Sequence, residues 1–274
     1  MKTKLSDKAL ILSIVISVLT AIVSAGGLLI KNLYRDNAFV KAAWYSNDII
    51  TLLVVMPLLI IATYLSRKGS ERSLMVWMGL MGYVFYNFAF YLFGAAFNSF
   101  FLLYAALFSL SAITLILQLS QCDISSISLK FAEKTPVKLV SMYLLFVSVM
   151  LLIVELSMII PFLISGIIPL TIKLTGHHTS EIFALDFAIV IPVSVIAAIL
   201  LWQRRSWGFI MGIIMLVKGF TYGLVLCAGT VILAFSKAYG RWDPLMPVYI
   251  LLVVGGISGC WLLLKDFRTI NTKN

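Results

Sequence analysis

Charge is the first thing this sequence lacks. Only 12% of its 274 residues are Asp, Glu, Lys or Arg, and 62% are hydrophobic, whereas a soluble globular domain usually carries about a quarter charged residues. Too little polar surface exists to cover a water-exposed globule, so a soluble enzyme or binding domain is excluded. Cysteine is scarce as well. Cys122, Cys227 and Cys260 stand alone, without CxxC or Cys/His spacing, which leaves no basis for a zinc site or a disulfide framework. There is no HExxH, no GxSxG and no Cys beside a His, so the usual metal-hydrolase and nucleophile arrangements are missing. No catalytic residue and no cofactor are expected, and the reading leans away from an enzyme.

What the chain has instead is long apolar runs. They predict an all-α, polytopic helix bundle forming one membrane domain over 1–274, with spans at about 9–30, 46–66, 74–97, 99–120, 139–161, 182–203, 207–235 and 245–264. A run of about 20 apolar residues is the length that crosses a bilayer. The net charge of +10 does not point to nucleic acid, because the cations sit in short groups between the runs, as helix-flanking anchors do. Val23, Ser24 and Ala25 offer a signal-peptidase site, but the apolar run continues past them, and an uncleaved first span is favoured.

Lys and Arg also orient the bundle. With the N-terminus inside, the inner segments hold Lys2, Lys4, Lys8, Arg67, Lys68, Arg72, Lys130, Lys134, Lys138, Arg204, Arg205, Lys265, Arg268 and Lys273. The outer segments hold only Lys31, Arg35, Lys41, Lys173, Lys237 and Arg241, leaving Lys218 within the membrane. This bias predicts a multi-pass protein of the plasma membrane with both termini cytoplasmic. A 4+4 parallel repeat is also suggested. Arg72-Ser73 precede Met78-Gly79 as Arg205-Ser206 precede Met211-Gly212, at an offset of 133, and each half carries an Asp (48, 186) and a Pro (57, 192) before that turn.

The segments FYNFAFYLFGAAFNSFFLLYAALFSLS (85–111) and LDFAIVIPVSVIAAILLWQRRSWG (185–208) resemble two recurring blocks of a group of uncharacterised prokaryotic multi-pass membrane proteins. The resemblance implies a shared topological frame and no particular activity.

Polar groups inside the spans are the candidates for chemistry. Glu155 costs about 2.5–3.5 kcal/mol in a membrane helix unless it finds a partner, a proton or water. Lys218 is the basic residue at comparable depth. The two are expected to pair, or Glu155 to act as a proton site; the plainer alternative has Lys218 snorkelling to the surface. Tyr83, Asn87 and Tyr91 recur every four residues on one face, and are expected to form an aromatic wall facing Glu155 and Lys218. Asp48 and Asp186 stand at the outer mouths of their spans. Together these residues predict a polar pocket opening to the extracytoplasmic side. The alternative is that they only bond neighbouring helices. His177 and His178, with Glu181 and Asp186, make a weak metal candidate, since adjacent histidines seldom point at one ion. Gly208, Gly212, Gly219 and Gly223 in one span and Gly255 and Gly259 in the next predict close helix packing, within the protomer or in a homo-oligomer.

Three functions fit. The leading one is a transporter-like or small-ligand-binding permease; the others are a structural or sensory subunit of a larger complex, and an intramembrane enzyme acting on lipid. The expected partners are the bilayer and a small solute or lipid.

Overall fold

The computed structural model describes residues 4–235 and 242–267. Lys2, Lys237, Arg241, Arg268 and Lys273, used above for orientation, lie outside the described residues. Among the described residues, eight helices long and apolar enough to cross a membrane form an all-α bundle: α1 Asp7–Leu29, α2 Ala38–Arg67, α3 Glu71–Gly94, α4 Phe101–Leu119, α5 Val137–Ser165, α6 Glu181–Trp202, α7 Ser206–Phe235 and α8 Met246–Leu264. Among the described residues there is no strand, only an isolated bridge between Phe131 and Phe267.

Local chemistry explains where the helices begin and end. Ser6, Asn37, Ser70 and Ser180 each accept a backbone N–H three residues on, which satisfies a donor that the first turn leaves open. The Asn37 cap starts α2 at Ala38, well before the apolar run that hydropathy detects from about residue 46. Likewise α5 does not stop near Pro161. It continues to Ser165, where Gly166 adopts a left-handed conformation, φ 70°, which glycine takes without steric cost.

α3 and α7 form the centre of the bundle. They cross each other, and the remaining helices surround them in two matching sets. α3 packs on α2 and α4 as α7 packs on α6 and α8, while α1 lies against α2 and α4 as α5 lies against α6 and α8. At the crossing Gly79 faces Val217 and Gly82 faces Ile214. Each glycine is 135 positions from the residue that the other one touches, the relation expected of two copies about a twofold axis.

The same offset runs through the first three helices of each half. Thr51–Val55 and Asp186–Val190 are single π-helical turns, each followed by a proline, Pro57 and Pro192. The turns between helices place Gly69 and Arg204 at φ 96° and 56°. Leu5, Ala9, Ser13 and Thr20 of the first half are buried, and so are Val140, Leu144, Ser148 and Glu155 of the second. The repeat is therefore real in packing, with a register of 135 in place of the 133 that letter matches suggest. Two repeats of the same orientation are the parallel arrangement, related by an axis along the membrane normal.

Hydrogen bonds and ion pairs gather one end of the bundle. Arg67 pairs with Asp7 (2.6 Å), Lys130 with Glu71 (2.7 Å) and Lys134 with Asp266 (3.1 Å). Arg204 donates to the carbonyls of Ala132, Glu133 and Thr135, which holds its uncommon backbone conformation in place. The α4–α5 connector is thus fastened to both halves, and the α1 start and α8 end share one side. Several glycines of α7 and α8 meet the chain's own side chains: Gly223 faces Leu252 and Val253, Gly255 faces Tyr143, and Gly256 and Gly259 face Phe220 and Leu216.

A methyl group added at Gly79 would collide with Val217, whereas Gly219 has open space around it. Gly79→Ala is therefore expected to destabilise by about 1–3 kcal/mol through overpacking. Gly219→Ala is expected to be neutral or to gain up to about 1 kcal/mol from helix propensity. Melting temperatures in mild detergent separate the two; equal shifts would contradict the crossing.

Candidate functional site

Two polar clusters flank α3, one in each half. In the first, Asp48 of α2 accepts hydrogen bonds from the Tyr34 hydroxyl (2.5 Å) and the Tyr91 hydroxyl (2.9 Å). Trp44, Tyr34, Tyr91 and Tyr104 close around the carboxylate, with ring centroids 4.7 Å apart for Trp44–Tyr91 and 5.1 Å for Tyr91–Tyr104. Tyr34 lies outside the spans, and burial together with the Asp48 carboxylate pushes its phenol well above the ordinary value. It remains a donor at any physiological pH. One turn further along α2, Thr51 bonds the Tyr83 hydroxyl at 2.7 Å. The Asp48 carboxylate thus has two donors, while the Tyr104 hydroxyl is buried without a partner.

The second cluster is different. Asp186 opens the π turn of α6 and accepts from the Tyr86 hydroxyl of α3 at 2.9 Å. Lys218 of α7 lies with its ammonium 3.9 Å from the Tyr86 ring centroid and 4.9 Å from that of Tyr222, an arrangement in which the ring faces attract the cation. Asp186 and Glu155 both act electrostatically on Lys218 and on each other. Among the described residues, however, no direct ion pair joins Lys218 to a carboxylate. Both oxygens of Glu155 are buried without a hydrogen-bond partner. Exposures of 2% for Glu155, 6% for Asp186 and 8% for Lys218 show the cluster closed to solvent.

Glu155, Asp186 and Lys218 thus come together across α5, α6 and α7, and Lys218 does not snorkel. Tyr83, Asn87 and Tyr91 are not the wall facing them: Tyr83 and Tyr91 bond α2 instead. Asn87 is buried, with its Oδ1 unpartnered. Because α3 is buried nearly all round, its stripes serve different neighbours. Tyr86, five positions before Tyr91 and so roughly 140° away on a helix of 3.6 residues per turn, is the one that faces the second cluster. A stripe search at intervals of four misses it. Tyr222, one turn after Lys218, could have been found from that i, i+4 spacing.

Asp48 belongs to the other cluster, so the expected outward-opening pocket is here two separate buried clusters. The internal repeat relates them in an informative way. Glu155, Asp186 and Lys218 stand 135 positions after Thr20, Thr51 and Tyr83, so the charged group of one half occupies the places of a neutral polar group in the other. The residue types differ at all three places, and only the register reveals the match.

His177 lies apart from both. Its Nδ1 is 2.8 Å from Glu181 and its Nε2 is 3.6 Å from Asp36, while His178 is exposed. Among the described residues no three His, Cys, Asp or Glu side chains gather as metal ligands. Nearby, Asn37 donates to the carbonyls of Leu174 and Thr175 at 2.9 Å each, joining the two halves at the end away from Arg204.

Comparison with known protein families, curated proteins and solved structures finds no match, so the reading of the site rests on its own geometry.

Lys218→Met leaves two carboxylates buried without a cation, a change expected to destabilise by about 3–5 kcal/mol. Adding Asp186→Asn is expected to recover part of the loss, with a coupling of about 0.5–3 kcal/mol in a double-mutant cycle. Strict additivity in detergent melting would show that the groups do not interact.

Proposed function

We propose that the chain is a proton-linked, transporter-like permease of the plasma membrane, with its N- and C-termini on the cytoplasmic side. The observation that carries this is Glu155, a buried carboxyl with no donor, placed beside Asp186 and Lys218 within a helical membrane domain. Two acids and one base reach neutrality when one carboxyl holds a proton, and an uncompensated charge at this depth costs about 2.5–3.5 kcal/mol even on insertion scales. Glu155 is the proton carrier in this reading, and Asp186 and Tyr86 keep Lys218 in place.

The local backbone supplies a way to move. In α6 the π turn pairs Ile191 N–H with Asp186 C=O, and the following Pro192 has no N–H to offer. Such a turn is a weak point at which a helix bends. Bending there shifts Asp186 against Lys218 and opens Glu155 to the extracytoplasmic side, where the proton is exchanged and a small solute enters. The internal repeat supports the reading, since many transporter folds are built from internal repeats. That Lys and Arg predominate at the end holding Arg67, Arg72, Lys130 and Arg204 supports the orientation.

The test is proton movement in liposomes that contain the purified protein and an internal pH dye, challenged with a panel of amino acids, organic acids, sugars and amines. At least one solute is expected to drive proton flux, and Glu155→Gln is expected to lower it at least tenfold. A water-soluble carbodiimide is expected to label Glu155 only while that solute is present. If no solute moves protons and the carboxyl stays unlabelled, the reading fails and a structural or sensory subunit takes its place.

A further inference from the structure

The basic end of the bundle carries a groove of about 490 Å³ between the start of α3 and the end of α8, lined by Arg72, Cys260, Trp261, Leu264 and Lys265. It shares no residue with the Glu155 cluster. Arg72 is held in place, its Nη2 donating to the carbonyls of Lys265 (3.3 Å) and Phe267 (2.7 Å). Lys265 lies with its ammonium 4.4 Å from the Trp261 ring centroid, and that ring is 61% exposed. The acids near this end are engaged elsewhere: Glu71 with Lys130, Asp266 with Lys134 and Asp7 with Arg67. Among the described residues neither Arg72 nor Lys265 has a carboxylate partner.

Two cations therefore border one groove with no anion between them, and an apolar wall of Trp261 and Leu264 continues down α8 into the span. A soluble anion would use the cations and waste the wall. A plain acyl chain would do the reverse. We propose that the groove binds an anionic phospholipid, its phosphate between Arg72 and Lys265 and an acyl chain along Trp261 and Cys260. Basic sites between helices on the cytoplasmic side commonly recognise such headgroups. A zwitterionic lipid offers the same phosphate, but its own ammonium opposes the two cations, so the groove discriminates by net headgroup charge.

Quenching of Trp261 tests this with the full chain in detergent micelles. The Trp261 signal is the difference between the native protein and Trp261→Phe, and the quenchers are phosphatidylglycerol and phosphatidylcholine with brominated acyl chains at low mole fraction. Half-quenching is expected at about tenfold less phosphatidylglycerol than phosphatidylcholine, and Lys265→Gln is expected to remove the preference. Arg72→Gln should do the same. Because Arg72 also ties the α8 end, Lys265→Gln with an unchanged melting temperature is the deciding variant. Equal quenching by the two lipids overturns the proposal, as does a preference that survives in Lys265→Gln. Reversal of the quenching by millimolar inorganic phosphate would assign the site to a soluble anion and also overturn it.

Discussion

The close approach of α3 and α7, between Gly79 and Val217 and between Gly82 and Ile214, sets the distance between the two halves of the molecule. Within a bilayer the tails of lipid are as apolar as the side chains of a helix, so helices associate through close packing and internal hydrogen bonds. Two glycines on α3 let α7 come near enough for both. Once that distance is fixed, Tyr83 and Tyr91 reach α2 on one side, and Tyr86 reaches α6 and the Lys218 ammonium on the other. α3 acts as a partition, with a polar cluster on each face and little of its own surface left for lipid.

The two halves share a backbone plan and differ in charge. Each has a π turn, a proline behind it and a left-handed residue in the next connection. In the first half the equivalent places hold Thr20, Thr51 and Tyr83, and the carboxylate of Asp48 is satisfied by two phenols. In the second half they hold Glu155, Asp186 and Lys218, with Glu155 unsatisfied. Buried polar groups ordinarily find partners; the hydroxyls of Thr20 and Tyr104 in the first half and both oxygens of Glu155 in the second have none, and of these groups Glu155 is the carboxyl. The bland explanation of intramembrane polarity, that it glues helices together, accounts for the Asp48 carboxylate and leaves that of Glu155 unaccounted for.

Hydropathy made the eight spans legible, because length and apolarity are what crossing a bilayer requires. It missed the first turns of α2, since residues 38–45 include Lys41 and begin from an asparagine cap, a signal of hydrogen bonding and not of apolarity. Glu155, Lys218 and Asp186 stood out as charges that are costly in apolar helices. Their neighbour Tyr86 does not stand out, because a four-residue stripe describes one face of α3 and the helix is buried on nearly every side. Letter identity also misplaced the repeat by two positions. In apolar helices chance matches are easy, whereas register is held by which side chains meet at a crossing, and that is visible only in three dimensions.

The connector fastened by Arg204 and Glu71, with Arg72 tied to the end of α8, gives the molecule a fixed end. At that end, cations and carbonyls bind α3, α8 and the α4–α5 connector into one plate. At the far end, among the described residues, Asn37 donates two hydrogen bonds across the halves, His177 sits beside Asp36 and Glu181, and α2 packs on α7 with Ser46 facing Gly229. Any relative movement of the halves that kept the bonds of the plate would be small at the arginines and larger with each turn of helix away from them.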